Sequence, residues 1–334
     1  MRVLILNHDD VIASLPPATC AEGMASILAA HARGEAYMPL RSMMMPPAAA
    51  GFMGLMPAWR DGRYGHRAAF ALKAICVMPA NPARGLDAHQ GTVTLFDGDT
   101  GVPTAILDAS AITAIRTAAV TAVATRLLAR PDASVLAIIG AGVQARTHID
   151  ALLRVRGFES VRVYAPTEAH ARAVVEDAAA ARPAGIEFRV CESAQDVVRG
   201  ADVVVTATSS REPVLEREWV GAGAHINAVG ASTPAARELD SDTVAASALF
   251  CDSRESLRNE AGEFQLAVRE GKIAGDDHIR AELGEVLAGL LPGRQDDAEL
   301  TVFRSLGLAV EDLAAAEEAV TAARGRGLGR EIEL

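Results

Sequence analysis

The chain has 334 residues, half of them hydrophobic and 22% charged, with a formal net charge of −11. A length of this order suggests two domains. The acidic balance argues against nucleic acid as a partner, and 4% aromatic residues argue against a base-stacking platform.

The first region, residues 1–116, reads as α+β. Its opening run, MRVLILNHDD, holds one basic residue and a short apolar stretch, so no signal peptide is expected. A helical pattern covers residues 21–32, after Pro16-Pro17 and before Gly34. Strand-like stretches follow at 37–45, 51–59, 68–78 and 92–96. Asp97-Gly98-Asp99-Thr100-Gly101 then reads as a hairpin turn into residues 102–107.

From residue 117 to about 250, short apolar runs rich in Val and Ile alternate with helical patterns. The runs fall at 135–139, 161–167, 186–190, 202–209, 225–231 and 248–253. Such alternation with short connections predicts a doubly wound parallel sheet, so the fold class is α/β. The tail predicts a helix over 281–291 and an amphipathic helix over 306–324, with Leu308, Val310, Leu313 and Val320 at helical spacing. The last helix is expected to pack on the first region. The expected domains are thus 1–116 with 311–334, for substrate and dimerisation, and 117–310, for a dinucleotide.

Four cysteines at 20, 76, 191 and 251 lack CxxC spacing, so neither a zinc site nor a disulfide framework is expected, and a cytoplasmic location fits. The eight histidines show no ligand spacing, so no metal is expected. No run of 18 apolar residues occurs, and no membrane partner is expected.

Gly140-Ala141-Gly142-Val143-Gln144-Ala145 follows the apolar run at 135–139 and opens a helical pattern. This GxGxxA form allows a tight turn, a close approach to a pyrophosphate, and helix N–H groups facing its charge. Gly140, Gly142, Val143 and Gln144 are therefore candidate cofactor contacts. The following strand ends Tyr164-Ala165-Pro166-Thr167, with Ala165 where an acid would select NAD. Thr167, helped by Arg146, Arg162 or Arg172, could meet a 2′-phosphate. NADP is slightly favoured, and Glu168 keeps NAD open.

Only two of the 32 basic residues are lysines, Lys73 and Lys272. Lys73 lies in the apolar stretch AFALKAICV. Burial would lower its pKa and suit proton transfer, whereas an edge strand would let it snorkel to water. Arg116, at the change of texture, could clamp a carboxylate or sit on a helix surface. Arg41 could do the same or stand as an exposed strand charge.

These segments together resemble the ornithine cyclodeaminase/μ-crystallin family. The carriers are Leu72-Lys73, His89-Gln90-Gly91-Thr92, ITAIRTAA at 112–119, Gly140 to Ala145, HINAVGA at 225–231, Arg237-Glu238-Leu239-Asp240, Glu282 to Val286 and SLGLAVED at 305–312. The resemblance spans nearly the whole chain. It implies a homodimer of subunits pairing a Rossmann-type domain with a discontinuous substrate and dimerisation domain. The substrate would be an α-amino acid or an imine of an α-keto acid.

The resemblance also assigns roles. A substrate carboxylate falls to Arg41, Lys73 and Arg116, the expected catalytic set. Cofactor contacts fall to Thr92, Arg116, Thr117, Val143, Gln144, Ser209, Ile226, Asn227, Ala228, Val229 and Ser305. Ser232 and Leu306 would face the substrate. Cyclodeaminases of the family carry acids where this chain has Ser232 and Gly54, and serine is no carboxylate base. The resemblance is therefore to the ketimine-reductase branch. It implies an NAD(P)H-dependent imine reductase or amino-acid dehydrogenase, with a cyclodeaminase-type lyase or a non-catalytic NADPH and carboxylate binder as alternatives.

Overall fold

The structure is a computed structural model that describes residues 1–63, 67–181 and 185–333. The chain divides into two compact units, Met1–Thr117 with the segment from Gly307 onward, and Ala118–Leu306.

In the first unit, β1 (Arg2–Leu6) leads into α1 (His8–Ser14) and α2 (Pro17–Ala32). Asn7 and Asp10 cap α1 reciprocally, each side chain accepting from the other's backbone N–H. The second helix starts earlier than the apolar pattern suggested, because Pro17 suits a first turn that needs no N–H. The expected strand over 37–45 is two short ones, β2 (Ala36–Tyr37) and β3 (Ser42–Met44). Pro39 lies between them and cannot donate to a ladder. An antiparallel meander follows: β4 (Phe52–Arg60), β5 (Ala69–Val77), β6 (His89–Asp97) and β7 (Pro103–Asp108).

The long helix α3 (Ala109–Leu128) has no counterpart in the sequence reading beyond a change of texture. It is long and apolar enough to pass for a membrane span, but 78% of its apolar window is buried in the protein.

The second unit holds an eight-stranded sheet of parallel pairs, flanked by helices. Its elements in chain order are β8 (Val135–Ile139), α4 (Val143–Val155), β9 (Ser160–Tyr164), α5 (Glu168–Ala180), β10 (Glu187–Val190), α6 (Ala194–Val198), β11 (Val203–Thr206) and β12 (His225–Ala228). Then come α7 (Ser241–Ala245), β13 (Ala248–Cys251), α8 (Arg254–Glu260), α9 (Gly262–Arg269), β14 (Ile279–Glu282), α10 (Leu283–Leu287) and β15 (Thr301–Arg304). The spatial order is β10-β9-β8-β11-β12-β15-β13-β14. The order reverses between β8 and β11, the crevice where doubly wound sheets bind ligands. The fold class is α/β, as the alternation of runs predicted. The helix expected over 281–291 is corrected: residues 279–282 pair with β13, and only Leu283–Leu287 is helical before Gly289 takes a positive φ of 70°.

The chain returns to the first unit through α11 (Ala309–Arg326) and β16 (Arg330–Glu333). The first sheet then runs β16-β1-β7-β6-β5-β4-β2, with β3 paired to β4. The last helix begins at Ala309 rather than 306, since Gly307 sits at φ +82°. It is not simply amphipathic: every residue from 309 to 316 is buried, because α11 packs on α1, α2 and the inner face of β4, β5 and β6. That buried run of alanines includes Glu311 and Asp312, both 0% exposed.

Candidate active site

Strand alternation on β5 sends Ala71, Lys73 and Ile75 to the inner, helix-covered face of the first sheet. Lys73 is 2% exposed on an interior strand, which removes the snorkelling alternative. Burying an ammonium requires a partner, and Asp312 supplies it, with Oδ2 2.7 Å from Nζ. Thr113 Oγ1 lies 3.5 Å from the same nitrogen.

Arg116 stands one helical turn after Thr113 on α3 and is 5% exposed, so it is not a surface arginine. Its Nε donates to Asp312 Oδ1 at 3.1 Å and its Nη1 to Glu311 Oε2 at 2.9 Å. Asp312 thus bridges Lys73 and Arg116, one carboxylate oxygen to each. Arg41 is half-buried, and its Nη2 donates to the carbonyl oxygen of Gly307 at 2.9 Å. Any Cβ at residue 307 would lie 2.6 Å from Arg116 Nη1 and 2.7 Å from Nη2. Glycine is therefore required twice over, for its φ and for the guanidinium against it. The three cations named from the sequence are gathered by two consecutive motifs of the C-terminal segment, Gly307 and Glu311-Asp312.

The electrostatics follow from burial. Desolvation lowers the Lys73 pKa to about 8, with Arg116 and Arg41 adding to the depression and Asp312 opposing it. His89 is also pushed down, by burial first and then by Lys73 and Arg116. It shares the inner face of β6 with Val93, the partner of Lys73, whereas Thr92 pairs with Ala74 on the opposite face. The structure does not bring Thr92 to Lys73. Thr117 is buried, its hydroxyl donating to the carbonyl of Thr113 at 2.7 Å. Sequence reasoning assigned no role to His89, Glu311 or Asp312, although all three lay in quoted motifs. An acidic pair in a first helical turn ordinarily reads as solvated capping charge, which hides a buried one.

In the second unit the candidate cofactor residues sit at the carboxyl ends of the parallel strands. Gly140, after β8, has φ +128°, and a Cβ there would meet Ala207 O at 2.3 Å. At Gly142 a Cβ would meet nothing within 4 Å, and α4 begins there without a side-chain cap. The open helix start leaves backbone N–H groups for an anion. The Gln144 Oε1 and Ser305 Oγ atoms are buried without a hydrogen-bond partner among the described residues. An uncapped helix start, with orphaned polar atoms there and at the end of β15, fits a dinucleotide, which Gly142, Val143, Gln144 and Ser305 could hold.

Three expected contacts are corrected. Ile226, Asn227 and Ala228 lie within β12 at 0% exposure. Asn227 is a core residue: its Nδ2 donates to Thr125 Oγ1 at 3.0 Å, and its Oδ1 lies 3.1 Å from His225 Nε2. Val229 is the first residue beyond the strand, where ligand contact is open to it. Ser209 and Ser232 are exposed on loops after β11 and β12, and Thr167 occupies the N-cap of α5 without bonding as a cap. Leu306 is buried, its N–H donating to Asp252 Oδ2 at 2.6 Å. The arginines offered for a 2′-phosphate are engaged: Arg146 with Asp177, Arg172 with Glu168, and Arg162 with the Arg199 carbonyl. No cluster of three metal-ligating side chains occurs among the described residues.

Residues 2–325 match the ornithine cyclodeaminase/mu-crystallin family. The ketimine reductase mu-crystallin of Mus musculus is 40% identical over 284 residues, covering 85% of this chain and 84% of that protein. The structure of Thermococcus litoralis Delta(1)-pyrroline-2-carboxylate reductase with NADH and L-proline superposes with a TM-score of 0.93 at 36% identity, covering 99% of this chain and 100% of the other. An archaeal alanine dehydrogenase dimer with bound NAD gives 0.92 at 34% identity, with full coverage of both chains. With this match across both units, the chain belongs to the ornithine cyclodeaminase/mu-crystallin family.

Proposed function

We propose that the protein is an NAD(P)H-dependent reductase of small α-imino carboxylates, the reverse direction being an amino-acid dehydrogenase. The observation that carries this is the buried cluster around Asp312. Lys73 and Arg116 pair with Glu311 and Asp312, and Arg41, on the Gly307 carbonyl and near enough to depress the Lys73 pKa, makes the cluster positive by one formal charge, a match for one substrate carboxylate. Arg41 and Arg116 hold that carboxylate and fix the substrate's orientation. Lys73, with a pKa of about 8, carries a proton at neutral pH and gives it to the imine nitrogen. Asp312 favours the protonated form and aims Nζ. When bound, the reduced nicotinamide supplies the hydride that the imine carbon accepts, so the products are an amine and the oxidised dinucleotide. The relatives named as ketimine and pyrroline-2-carboxylate reductases support this reading. Ser232 and Gly54, where cyclodeaminases carry acids, count against the lyase.

The finer reading is a small preference for NADPH. Ala165 leaves the ribose 2′ position without an acid, but a 2′-phosphate must displace exposed ion pairs at Arg146 or Arg172, each worth about 0–1 kcal/mol. A homodimer is supported by the outer face of the first sheet, where Leu55 and Phe70 are 37% and 45% exposed beside Pro57, Trp59 and Leu72. An apolar sheet face of this kind is normally covered, and a second copy of the chain is the proposed cover. The four free cysteines suit a cytoplasmic location.

The test is oxidation of NADH and NADPH with five- and six-membered cyclic ketimine carboxylates, and with pyruvate or glyoxylate plus amines. Turnover with at least one is expected. No turnover across the panel overturns the reading, as does ammonia release from ornithine or lysine without net change in dinucleotide.

A further inference from the structure

The motif Arg237-Glu238-Leu239-Asp240 has no part in the chemistry above, yet its glutamate is wholly buried at the ligand end of the second sheet. Glu238 Oε1 accepts from the Thr208 N–H at 2.7 Å. Its Oε2 accepts from the Gly230 N–H at 2.6 Å and from Thr206 Oγ1 at 2.9 Å. Thr206 ends β11 and Thr208 follows it, while Gly230 follows β12. One carboxylate therefore ties together the two loops that leave adjacent strands. The loops touch as closely as backbone allows: a Cβ at Gly230 would lie 2.2 Å from Thr208 O and 2.4 Å from Thr208 N.

The glutamate is itself held. Its backbone N–H donates to Glu263 Oε1 at 2.8 Å, and Glu263 Oε2 accepts from Arg304 Nε at 3.0 Å. A buried N–H beyond the end of a ladder must find an acceptor, and here two of them find the same side chain. A loop could be closed with less than a buried carboxylate set beside a second one. This arrangement instead fixes where two strand ends stand relative to each other.

We propose that Glu238 is the positioning residue that sets the loops after β11 and β12 to receive the nicotinamide half of the dinucleotide. The assignment rests on the dinucleotide reading of the second unit. The switch between β8 and β11 divides the sheet into two mononucleotide halves. The glycine turn after β8 and residues 165–168 after β9 serve the adenosine side, so β11 and β12 serve the other. Glu238 touches only the second half.

That division supplies the test. In Glu238→Gln the shape is kept, but each carboxylate oxygen faces a backbone N–H, so the amide NH2 must oppose one of them. Calorimetry on the full chain compares NADH with ADP, which lacks the nicotinamide and its ribose. Glu238→Gln is expected to weaken NADH by about tenfold or more through lost preorganisation, with ADP within about twofold of wild type. Thr206→Val, which removes one of three donors, is expected to weaken NADH by about threefold, again without effect on ADP. It decides the matter if Glu238→Gln does not fold. Unchanged NADH affinity in the folded variant, or equal loss for both ligands, overturns the assignment. A wild-type chain that binds neither ligand overturns the functional reading together with it.

Discussion

The two units put buried polarity to different uses. The first places four charged side chains, Lys73, Arg116, Glu311 and Asp312, at 5% exposure or less and lets them neutralise one another. The second presents backbone at its dinucleotide end, with a glycine turn, an uncapped helix and strand ends, and keeps its buried charges, Glu238, Glu263 and Arg304, as braces for the loops. Side-chain charge can carry and move a proton, so the first unit suits chemistry. Backbone N–H groups cannot titrate, and the second suits a stable grip on a phosphate.

Replacing Lys73 attacks the first kind of site most directly. Lys73→Met keeps the apolar stem and removes the charge and donors. Turnover should fall by about 10²-fold or more while NADH affinity stays within twofold. Because the lysine is paired, the variant should also be destabilised rather than neutral. Asp312 keeps Arg116, so the loss should stay below the about 3–5 kcal/mol of a fully orphaned buried charge. Near-wild-type turnover in a folded protein would remove Lys73 from the mechanism.

The reciprocal change is Gly140→Ala. It forces a Cβ to within 2.3 Å of Ala207 O at φ +128°, and dinucleotide affinity should drop by about 30-fold or more. A carboxylate inhibitor should still bind the first unit. Loss of both together would contradict the separation drawn here.

Asp312→Asn gives a graded effect, a fall in kcat of about 10-fold to 100-fold. It also has a pH signature. Turnover needs protonated Lys73, so kcat in the wild type should decline as pH rises through about 8. Asp312 raises that pKa; without it the alkaline limb moves to lower pH. A limb that stays in place would separate Asp312 from Lys73.

The smallest effect concerns Glu317, a structural carboxylate on α11. Burial raises its pKa to about 7 even beside Arg60. A raised folded pKa means stability that is full below about 4.5 and lost as pH rises through about 7. Melting temperature should therefore fall less between pH 5 and 8 in Glu317→Gln than in wild type. Identical pH profiles would rule out this ionisation.

What the sequence disclosed divides along the same line. Gly140 to Ala145 is contiguous, and strand, turn and helix follow one another, so the dinucleotide end was legible by local spacing. The extent of β12 was not: an apolar run does not show where the strand stops, which put Ile226, Asn227 and Ala228 among the contacts when they are core. In the first unit the partners are far apart in sequence. Arg41 reaches Gly307 across 266 residues and Arg116 reaches Asp312 across 196. Lys73, Arg116 and Arg41 stood out by type and position, and the family resemblance joined them into one carboxylate site, whereas Asp312 drew no role. The face of β6 was equally silent, since placing His89 on the Lys73 side of the sheet and Thr92 on the other needs the register. Tertiary packing decides each of these, and no local pattern encodes it.

The most direct test of the central claim is the fate of the hydride. The protein is incubated with a cyclic ketimine carboxylate and reduced dinucleotide deuterated at the transferring position, and the product is analysed by mass spectrometry. The reductase account predicts a cyclic amino acid carrying one deuterium at the α-carbon, formed in step with dinucleotide oxidation, and almost none from Lys73→Met. Product without deuterium, or ketimine recovered unreduced with the dinucleotide unoxidised, would contradict it.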